Sequence, residues 1–382
     1  MKIFIPCFLV LFILTSCRNK TITAVIPNKN NQTNETELQP SYAKGFSAFK
    51  ADDYTKIEVF TPWPGATDTL TYYLVPKEKT VPEYIKQEAI IRTPITKIIS
   101  CSTVDIPLLE AVGMENTLIG FPEHKYISAK KTRARIDSGF VKDIGNLMSL
   151  NTEMVMELAP DVIVGFSSNS DNKAFNLLKR SGIQTLMNGS WLEPHPLGRA
   201  EWIKVYGYLF NKEQQAESYF TTIETNYKNA VVLAKQVKIP PTVLSGNMYK
   251  DVWYVPGGNS YAAKLITDAN GNYLWKNNTD TGSLSLSFES VYDKASNADI
   301  WIGGGKLNTR NELINFEEKY SLFNAVNNNA VYSKDLKKGP TGGILYYEQG
   351  SLHADWVLLD LIKIFHPNLV PNYTFHFYQK LK

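Results

Sequence analysis

This sequence of 382 residues lacks the short motifs that mark common catalytic sites. No G-x-G-x-x-G follows a predicted strand, and neither G-x-S-x-G nor H-E-x-x-H occurs. The run GGGK at 303–306 is not a phosphate-binding loop. Such a loop requires a glycine where the chain has Ile300, and a serine or threonine where it has Leu307. The sequence gives little support to catalysis, and we predict that the protein is not an enzyme.

Metal-ligating side chains and net charge are also sparse. The five histidines show no metal-ligand spacing, so we expect neither a metal site nor a resident cofactor. The formal net charge of +3 is small and scattered along the chain, which has no basic stripe and no nucleic-acid-binding motif. We therefore expect no nucleic-acid partner.

The first residues have the pattern of a secretory signal. Lys2 precedes an apolar run of about a dozen residues, which is too short to span a bilayer as a stable helix. The run ends in Leu14-Thr15-Ser16-Cys17, which resembles the bacterial lipoprotein signal, where the cysteine is lipidated and becomes the first mature residue. An ordinary signal peptide with a chance cysteine is the alternative. We predict export to the periplasm and a lipid anchor on Cys17 that holds the protein to a cell membrane.

This processing leaves Cys101 as the one internal cysteine, since Cys7 leaves with the signal. Neither an internal disulfide nor an iron–sulfur cluster held by this chain alone can then form. Cys101 lies in the apolar run TKIISCS, where we expect a small buried hydrophobic side chain. The polar, Asn- and Thr-rich residues that follow Cys17 are expected to form a flexible tether.

The remaining chain changes pattern in a way that predicts an α/β fold. Short β-branched and aromatic runs around the turn at 62–65 predict a hairpin. Short apolar strands then alternate with helices, and the alternation restarts after Pro240-Pro241, which predicts two lobes with open parallel sheets. The predicted organisation is a signal peptide (1–17), a tether (18–41), a β-rich N-terminal extension (42–94), an N-terminal lobe (95–210), a linking helix (211–238) and a C-terminal lobe (239–382).

The linking helix is predicted from a long amphipathic pattern. Apolar side chains recur on one face at helical spacing: Ala216, Tyr219, Phe220, Ile223, Tyr227, Ala230, Val231 and Ala234. Asn211 with Gln214 resembles a capping box at its start. About 24 helical residues would extend about 36 Å, enough to cross a small domain. We predict one stiff helix that joins the lobes, and a helix packed inside a single lobe is the alternative.

Two distant stretches of the chain resemble each other. They are SLNTEMVMELAPDVIVG, from Ser149, and SLSFESVYDKASNADIWIG, from Ser285. Each contains a small polar residue, a glutamate two places later, an apolar helical run, and an aspartate that opens a hydrophobic run. The matching pairs are Asn151 and Ser287, Glu153 and Glu289, and Asp161 and Asp299. The repeat therefore occupies the same place in each predicted lobe.

From about residue 94 to its end, the chain resembles the class III periplasmic substrate-binding proteins of ABC importers. That group carries iron–siderophore complexes, haem and cobalamin. The landmarks follow in the expected order: KIISCSTVDIPLLEAVG, DIGNLMSLNTEMVMELAPDVIVG, DVWYVPGGNSYAAKLITDANGNYLW, SLSFESVYDKASNADIWIG and YYEQGSLHADWVLLDLIKIFHPNLVP. The resemblance implies a binding protein that works with an ABC permease and its ATPase, and we expect it to act as a monomer.

The resemblance also gives the repeated glutamates a role. In the family each lobe exposes a glutamate near a helix start, and the two seat in arginine pockets on the two permease copies. By position these are Glu153 and Glu289 here. Carboxylates that meet guanidinium groups give orientation and fast encounter. The alternative is local, since an acidic residue in the first turn favours the helix dipole, with Asn151 and Ser287 as N-caps.

In an open α/β sheet, ligands lie outside the carboxyl ends of the strands, so two such lobes would bind between them. We predict that aromatic, hydroxyl and cationic side chains after the strands form this site. They are Ser102, Thr103, Lys125, Tyr126 and Trp191 from the N-terminal lobe, and Tyr249, Trp253, Tyr254, Lys306, Arg310 and Tyr346 from the C-terminal lobe. Replacement of Trp253 by alanine is expected to weaken binding without unfolding the protein.

Such residues suit a bulky, partly anionic chelate. We predict an iron chelate of siderophore or haem type, and cobalamin is the alternative within the family. Two other classes remain open from the sequence. One is a chelatase-like or nitrogenase-related enzyme on the same scaffold, against which export argues. The other is a surface receptor component that works without its own permease.

Overall fold

The computed structural model of the protein describes Met1 and residues 35–382. The predictions for the signal peptide, for Cys17 and for residues 18–34 of the tether lie outside the described residues. Residues 35–382 form one compact unit. No helix in this described range is long and apolar enough to cross a membrane.

Five strands ahead of the first lobe form a separate sheet, the N-terminal sheet, in sequence order: β1 (Thr36–Leu38), β2 (Phe46–Lys50), β3 (Thr55–Val59), β4 (Leu70–Pro76) and β5 (Ile90–Thr93). Strands β1 to β4 are antiparallel, and β5 runs parallel to β4. Strand β1 lies inside the stretch predicted as a tether. Its side chains are all exposed, and it is held to β2 by backbone pairing alone. The sequence of β1 therefore shows no hydrophobic pattern that would predict a strand.

Lobe 1 has a five-stranded parallel sheet in the order β12-β11-β6-β7-β8, with a short hairpin of β9 and β10 beside it. Helices connect these strands, as the alternating pattern predicts. The strands are β6 (Ile98–Ser100), β7 (Leu118–Phe121), β8 (Lys142–Asp143), β9 (Gly145–Asn146), β10 (Ser149–Leu150), β11 (Val162–Gly165) and β12 (Thr185–Met187). The helices are α1 (Asp105–Ala111), α2 (Lys130–Asp137), α3 (Thr152–Leu158), α4 (Lys173–Arg180), α5 (Pro196–Glu201) and α6 (Ile203–Phe210).

Helix α7 (Glu213–Ala234) joins the lobes and packs on α6. Its buried residues are Ala216, Phe220, Ile223, Tyr227, Ala230 and Ala234, which belong to the predicted apolar face. The predicted capping box is wrong. Asn211 ends α6 in the left-handed conformation, with φ of 55°, and the residue before α7 is Lys212, whose side chain makes no capping bond. Asparagine is tolerated in this conformation, so the same residue type can end a helix as well as start one.

Lobe 2 has a mixed sheet in the order β16-β14-β13-β17-β18-β19, with β15 beside β13. Its centre, β13-β17-β18, is parallel, and β14, β16 and β19 are antiparallel to their neighbours. The strands are β13 (Thr242–Tyr249), β14 (Val252–Pro256), β15 (Asn272–Tyr273), β16 (Ser283–Leu286), β17 (Ile300–Gly303), β18 (Val331–Ser333) and β19 (Gln379–Lys380). The helices are α8 (Tyr261–Asp268), α9 (Phe288–Ala295), α10 (Arg310–Phe316), α11 (Asn324–Asn327), α12 (Leu345–Gln349) and α13 (Ala354–Phe365).

Helix α7 also packs on α13 of lobe 2. The predicted α/β fold, with two open sheets joined by one long helix, is therefore confirmed, and the sheet predicted as parallel in lobe 2 is parallel in its centre and mixed at its edges. One hydrophobic cluster extends from the N-terminal sheet through α7 into lobe 2. A second cluster, which includes Ile99, Val155, Ile163, Phe175 and Leu178, lies under α3 and α4 of lobe 1.

Two buried carboxylates fix the N-terminal sheet to lobe 1. Glu201 accepts hydrogen bonds from the backbone amides of residues 41–43, at 2.7–2.9 Å. Glu193 accepts from the amides of Lys44 and Gly45 and from the indole of Trp202, at 2.7–3.1 Å. Because five consecutive amides end on carboxylates of lobe 1, the chain leading into β2 is held rigidly against that lobe.

Candidate binding cleft

The carboxyl ends of the lobe 1 strands carry the side chains predicted there. Ser102 and Thr103 follow β6 and are partly buried, while Lys125 and Tyr126 follow β7 and are exposed. Trp191 follows β12 with 37% of its surface exposed, and its ring meets that of Phe166 edge-on at 6.4 Å. Lobe 1 therefore presents aromatic and polar groups along one edge of its sheet.

Lobe 2 has a cavity of about 290 Å³ at the carboxyl ends of β13, β17 and β18. The predicted residues Tyr249, Tyr254 and Tyr346 line it. Burial raises the pKa of Tyr346 to about 12, so its hydroxyl stays protonated at neutral pH. The phenol rings give the cavity apolar walls with hydroxyl groups that can donate or accept hydrogen bonds.

The cavity also contains a cation that the sequence analysis missed. Lys334 follows β18 and lines the cavity, and its ammonium lies 4.2 Å from the ring centroid of Tyr346. Burial lowers the pKa of Lys334 to about 8, an effect that the neighbouring Asp335 opposes. Lys334 forms no ion pair with any residue of the described range. Lys334 is partly buried, and because an ammonium removed from water without a bonded anion is costly, the site favours a ligand that supplies one.

A second cation, Arg199 of α5, lies close to this lysine. Its guanidinium lies 3.8 Å from the ring centroid of Tyr261 in lobe 2 and donates hydrogen bonds to the carbonyls of Trp191 and Glu193. Burial lowers the pKa of Arg199, and its positive charge contributes to lowering that of Lys334. Arg199 was not predicted either. It connects the Trp191 edge of lobe 1 to the cavity of lobe 2.

Signals for these two cations are present but weak in the sequence. Lys334 comes after a strand of only three residues, VYS, which is too short to be recognised as the end of a parallel strand. Arg199 lies in a helix rather than after a strand, so the rule that ligands lie at strand ends does not select it.

Of the six ligand residues predicted in lobe 2, three lie outside this cavity. Trp253 is fully buried, with rings of Trp301, Phe323, Tyr320 and Phe288 around it, so its prediction as a ligand contact is wrong and it belongs to the core. Lys306 is exposed and lines a neighbouring cavity of about 300 Å³. Arg310 donates hydrogen bonds to the carbonyl of Val326 and to Asn327, which directs it towards α11.

The repeated glutamates occupy matching positions. Asn151 caps α3 by accepting from the Met154 amide at 3.0 Å, and Ser287 caps α9 by accepting from the Ser290 amide at 3.2 Å. The prediction that Asn151 and Ser287 act as N-caps is therefore confirmed. Glu153 and Glu289 are exposed in the first turn of these helices, and neither has an ion pair or side-chain hydrogen bond within the described residues.

The two lobes also meet beside the cleft through one carboxylate. Glu348 of α12, only 1% exposed, accepts hydrogen bonds from the amides of Ser128 and Ala129 in lobe 1, both at 2.7 Å. Nearby, the Thr341 hydroxyl donates to the carbonyl of Lys125 at 2.6 Å. The segment 334–348 of lobe 2 therefore contains residues that line the cavity and residues that contact lobe 1. We call the contacts of Glu348 and Thr341 with lobe 1 the interlobe clasp.

The histidine and carboxylate groups of residues 35–382 lie apart from one another, in pairs or in packed positions. Within the described residues, no cluster of three or more histidine, cysteine, aspartate or glutamate side chains could hold a metal ion. His353 stacks on Trp356 at 3.6 Å between ring centroids, and burial lowers its pKa to about 4. This ring therefore takes part in packing as a neutral group.

Comparison with known proteins gives a consistent match. The family model described as "Periplasmic binding protein" matches residues 98–336. An uncharacterized lipoprotein of Methanocaldococcus jannaschii is 28% identical over 324 residues, which cover 81% of this chain and 75% of that protein. The N-terminal sheet precedes the matched part of the family model.

Solved structures with the same fold include a periplasmic haem-binding protein of Vibrio cholerae, with a TM-score of 0.57, 19% identity, and coverage of 70% of this chain and 98% of that one. A petrobactin-binding protein of Bacillus subtilis has a TM-score of 0.54 and 18% identity, over 72% of this chain and 92% of that one. At these identities the likeness concerns the fold.

Proposed function

Because this chain belongs to the periplasmic binding protein family, we propose that it is the lipid-anchored substrate-binding component of an ABC importer. It would capture an iron chelate of siderophore or haem type between the lobes and deliver it to the permease. The similarity to a protein named a lipoprotein supports the lipid anchor.

One observation carries the choice of ligand: the partly buried Lys334 ammonium, which forms no ion pair with any described carboxylate, lies in a tyrosine-lined cavity. An anionic ligand group there would form charge-assisted hydrogen bonds in a site shielded from water. Arg199 adds a second positive charge close by. These cations favour an anionic chelate over cobalamin, which would suit a broad aromatic slot with few charges.

The size of the cavity fits part of such a ligand. A volume of about 290 Å³ lies at the lower end of the range for sites that enclose a whole small molecule. The cavity would therefore hold one anionic arm of the chelate. The rest would extend across the cleft towards Trp191 and the other lobe 1 residues.

Delivery to the permease would use Glu153 and Glu289. In a unit where helices run antiparallel to the strands, the starts of α3 and α9 lie at the carboxyl edges of their sheets. Two exposed carboxylates on one compact unit can orient the protein on a pair of basic pockets.

The test is a titration of the full-length protein with ferric siderophores, haem and cobalamin, followed by tryptophan fluorescence. We expect saturable quenching by an anionic iron chelate at micromolar or tighter affinity. Lys334→Met should weaken this binding about tenfold or more, which corresponds to about 1.4 kcal/mol. The control is Lys238→Met, an exposed lysine between α7 and β13.

Two results would contradict the proposal. Saturable binding of cobalamin with no binding of iron chelates would show that the ligand is cobalamin. Equal affinity of the wild type and Lys334→Met for the iron chelate would show that the cavity does not bind the ligand.

A further inference from the structure

The loop between β3 and β4, residues 60–69, belongs to the N-terminal sheet and precedes the part of the chain that the family model matches. It is nevertheless in direct contact with lobe 1. A β-carbon on Gly189 would lie 2.4 Å from the carbonyl oxygen of Thr61, so the two backbones touch at this point. The loop start is also fixed by a hydrogen bond from the Phe60 amide to the carbonyl of Gly45, at 2.8 Å.

Gly189 lies at the carboxyl edge of the lobe 1 sheet, the edge that faces the cleft. Its neighbour Asn188 donates from its backbone amide to Gly165, at the end of β11, and from its side chain to Asp105, at the start of α1, both at 2.7 Å. Trp191 follows two residues after Gly189. The contact with Thr61 therefore places the loop beside the aromatic pair of Trp191 and Phe166.

The position of the β3–β4 loop is fixed by hydrogen bonds between the N-terminal sheet and lobe 1. The carboxylates of Glu193 and Glu201 bind residues 41–45 just before β2, as described above. Tyr72 of β4 accepts a hydrogen bond from the amide of Met187, the last residue of β12, at 3.1 Å. The start of the loop and the strand that follows it therefore both contact residues at or just after the end of β12.

The composition of the loop is apolar and aromatic at its start. Residues 60–66 read FTPWPGA, with no charged side chain, and two prolines restrict the backbone around Trp63. The Phe60 ring is 37% exposed and Trp63 is partly buried. Aromatic rings that are at least partly exposed on a stiff loop are suited to contact a planar ligand surface at small cost in conformational entropy.

We propose that the β3–β4 loop forms a wall of the binding cleft and that Phe60 and Trp63 contact the planar, aromatic part of the ligand. The inference rests on the proposed function. It assigns an apolar end of the ligand to this wall and the anionic end to Lys334, and the two ends are connected through Trp191 and Arg199. The ligand class is then an anionic iron chelate that carries aryl groups, such as a tricatecholate, in preference to an aliphatic trihydroxamate.

The experiment compares wild-type protein with the double variant Phe60→Ala, Trp63→Ala, as full-length protein. Calorimetry measures the dissociation constants of a ferric tricatecholate and a ferric trihydroxamate. We expect the double variant to bind the tricatecholate about tenfold more weakly and the trihydroxamate within about twofold of the wild type. Tyr84→Ala is the matched control, because Tyr84 is an exposed ring in the connection between β4 and β5, outside the β3–β4 loop.

Each other outcome contradicts the inference in a recognisable way. Equal affinities of wild type and double variant for both chelates would overturn it and leave the proposed function standing. Unchanged affinity with reduced uptake in cells would also overturn it, because the loop would then contact the permease instead. A wild type that binds neither chelate would contradict this inference together with the proposed function. Urea unfolding of the double variant shows whether a lost affinity reflects a lost fold.

Discussion

The Glu348 carboxylate accepts a hydrogen bond from the amide of Ser128, which lies 220 residues earlier in the chain and in the other lobe. The same carboxylate accepts from Ala129. One carboxylate thus connects the two lobes next to the cleft, together with the Thr341 hydroxyl of the same clasp and in addition to the helix α7 that joins the lobes along the chain.

Glu348→Ala should destabilise the protein substantially. The substitution leaves the backbone amides of Ser128 and Ala129 without their acceptor, and we expect the free energy of unfolding to fall by about 2–4 kcal/mol. Urea unfolding followed by circular dichroism measures the change. Glu157→Ala, an exposed glutamate of α3, is the control and should change stability by less than about 0.5 kcal/mol. Equal stability of the two variants would contradict a structural role for the clasp.

The same carboxylate predicts a dependence of stability on pH. Burial raises the pKa of Glu348 to about 7, the amides of Ala129 and Ser128 oppose this, and the nearby Glu110 adds to it. In the unfolded chain the group titrates near 4.5. Between these values the folded protein binds more protons than the unfolded one, so the free energy of unfolding decreases as the pH rises, by at most about 1.4 kcal/mol per pH unit.

The measurement is urea unfolding of wild type and Glu348→Ala between pH 5 and pH 8. The stability advantage of the wild type over the variant should be largest at pH 5 and should shrink towards pH 8. An advantage that stays constant over this range would show that Glu348 does not titrate in it.

Trp253→Ala should act on the fold. The side chain has no exposed surface and lies against the rings of Trp301 and Phe323 at 5.3 and 5.5 Å between centroids. Removal of a buried tryptophan costs about 3–5 kcal/mol. We expect a large drop in the urea midpoint, in contrast to the expectation from sequence that only binding would weaken. A variant with wild-type stability and reduced affinity would return Trp253 to the binding site.

Glu153→Ala combined with Glu289→Ala should abolish uptake in cells and leave ligand affinity within about twofold of the wild type. Both side chains are exposed and both helices keep their caps, so stability should change by less than about 1 kcal/mol. The chain offers a matched control in Glu157→Ala with Asp293→Ala, which removes the exposed acidic residues one turn later on the same helices. If both double variants lose uptake equally, docking would depend on the overall negative charge of these helices and not on Glu153 and Glu289 specifically.

Much of the fold follows from local patterns that the sequence shows directly. The start of α3 could be predicted because Asn151 and its side-chain bond are local, and the apolar face of α7 because burial repeats every turn. The repeated aspartates have a shared role that the pattern alone did not reveal. Asp161 accepts from the amides of Thr96 and Lys97, and Asp299 from the amide of Thr242, so each connects two neighbouring strands at their starts.

The binding site was less predictable because it depends on which way each side chain points. Trp253 and Tyr254 are neighbours on β14, and successive side chains of a strand point to opposite faces, so at most one could face the cavity. The exposed Tyr254 lines it and the buried Trp253 does not. Arg199 comes close to Lys334 because α5 of lobe 1 packs on α8 and α13 of lobe 2, and a local sequence pattern cannot predict such a packing.

The attachment of the N-terminal sheet has a consequence for how this part of the protein can vary among relatives. Glu201 and Glu193 recognise backbone amides, which every residue except proline possesses, and most side chains of residues 41–45 take no part in those bonds. Substitution at Ser41 or Lys44 would leave the attachment intact, whereas loss of either glutamate would release the segment. A comparison of homologues would therefore find that the two acidic residues of lobe 1 are conserved, even where the sequence of the attached segment has diverged.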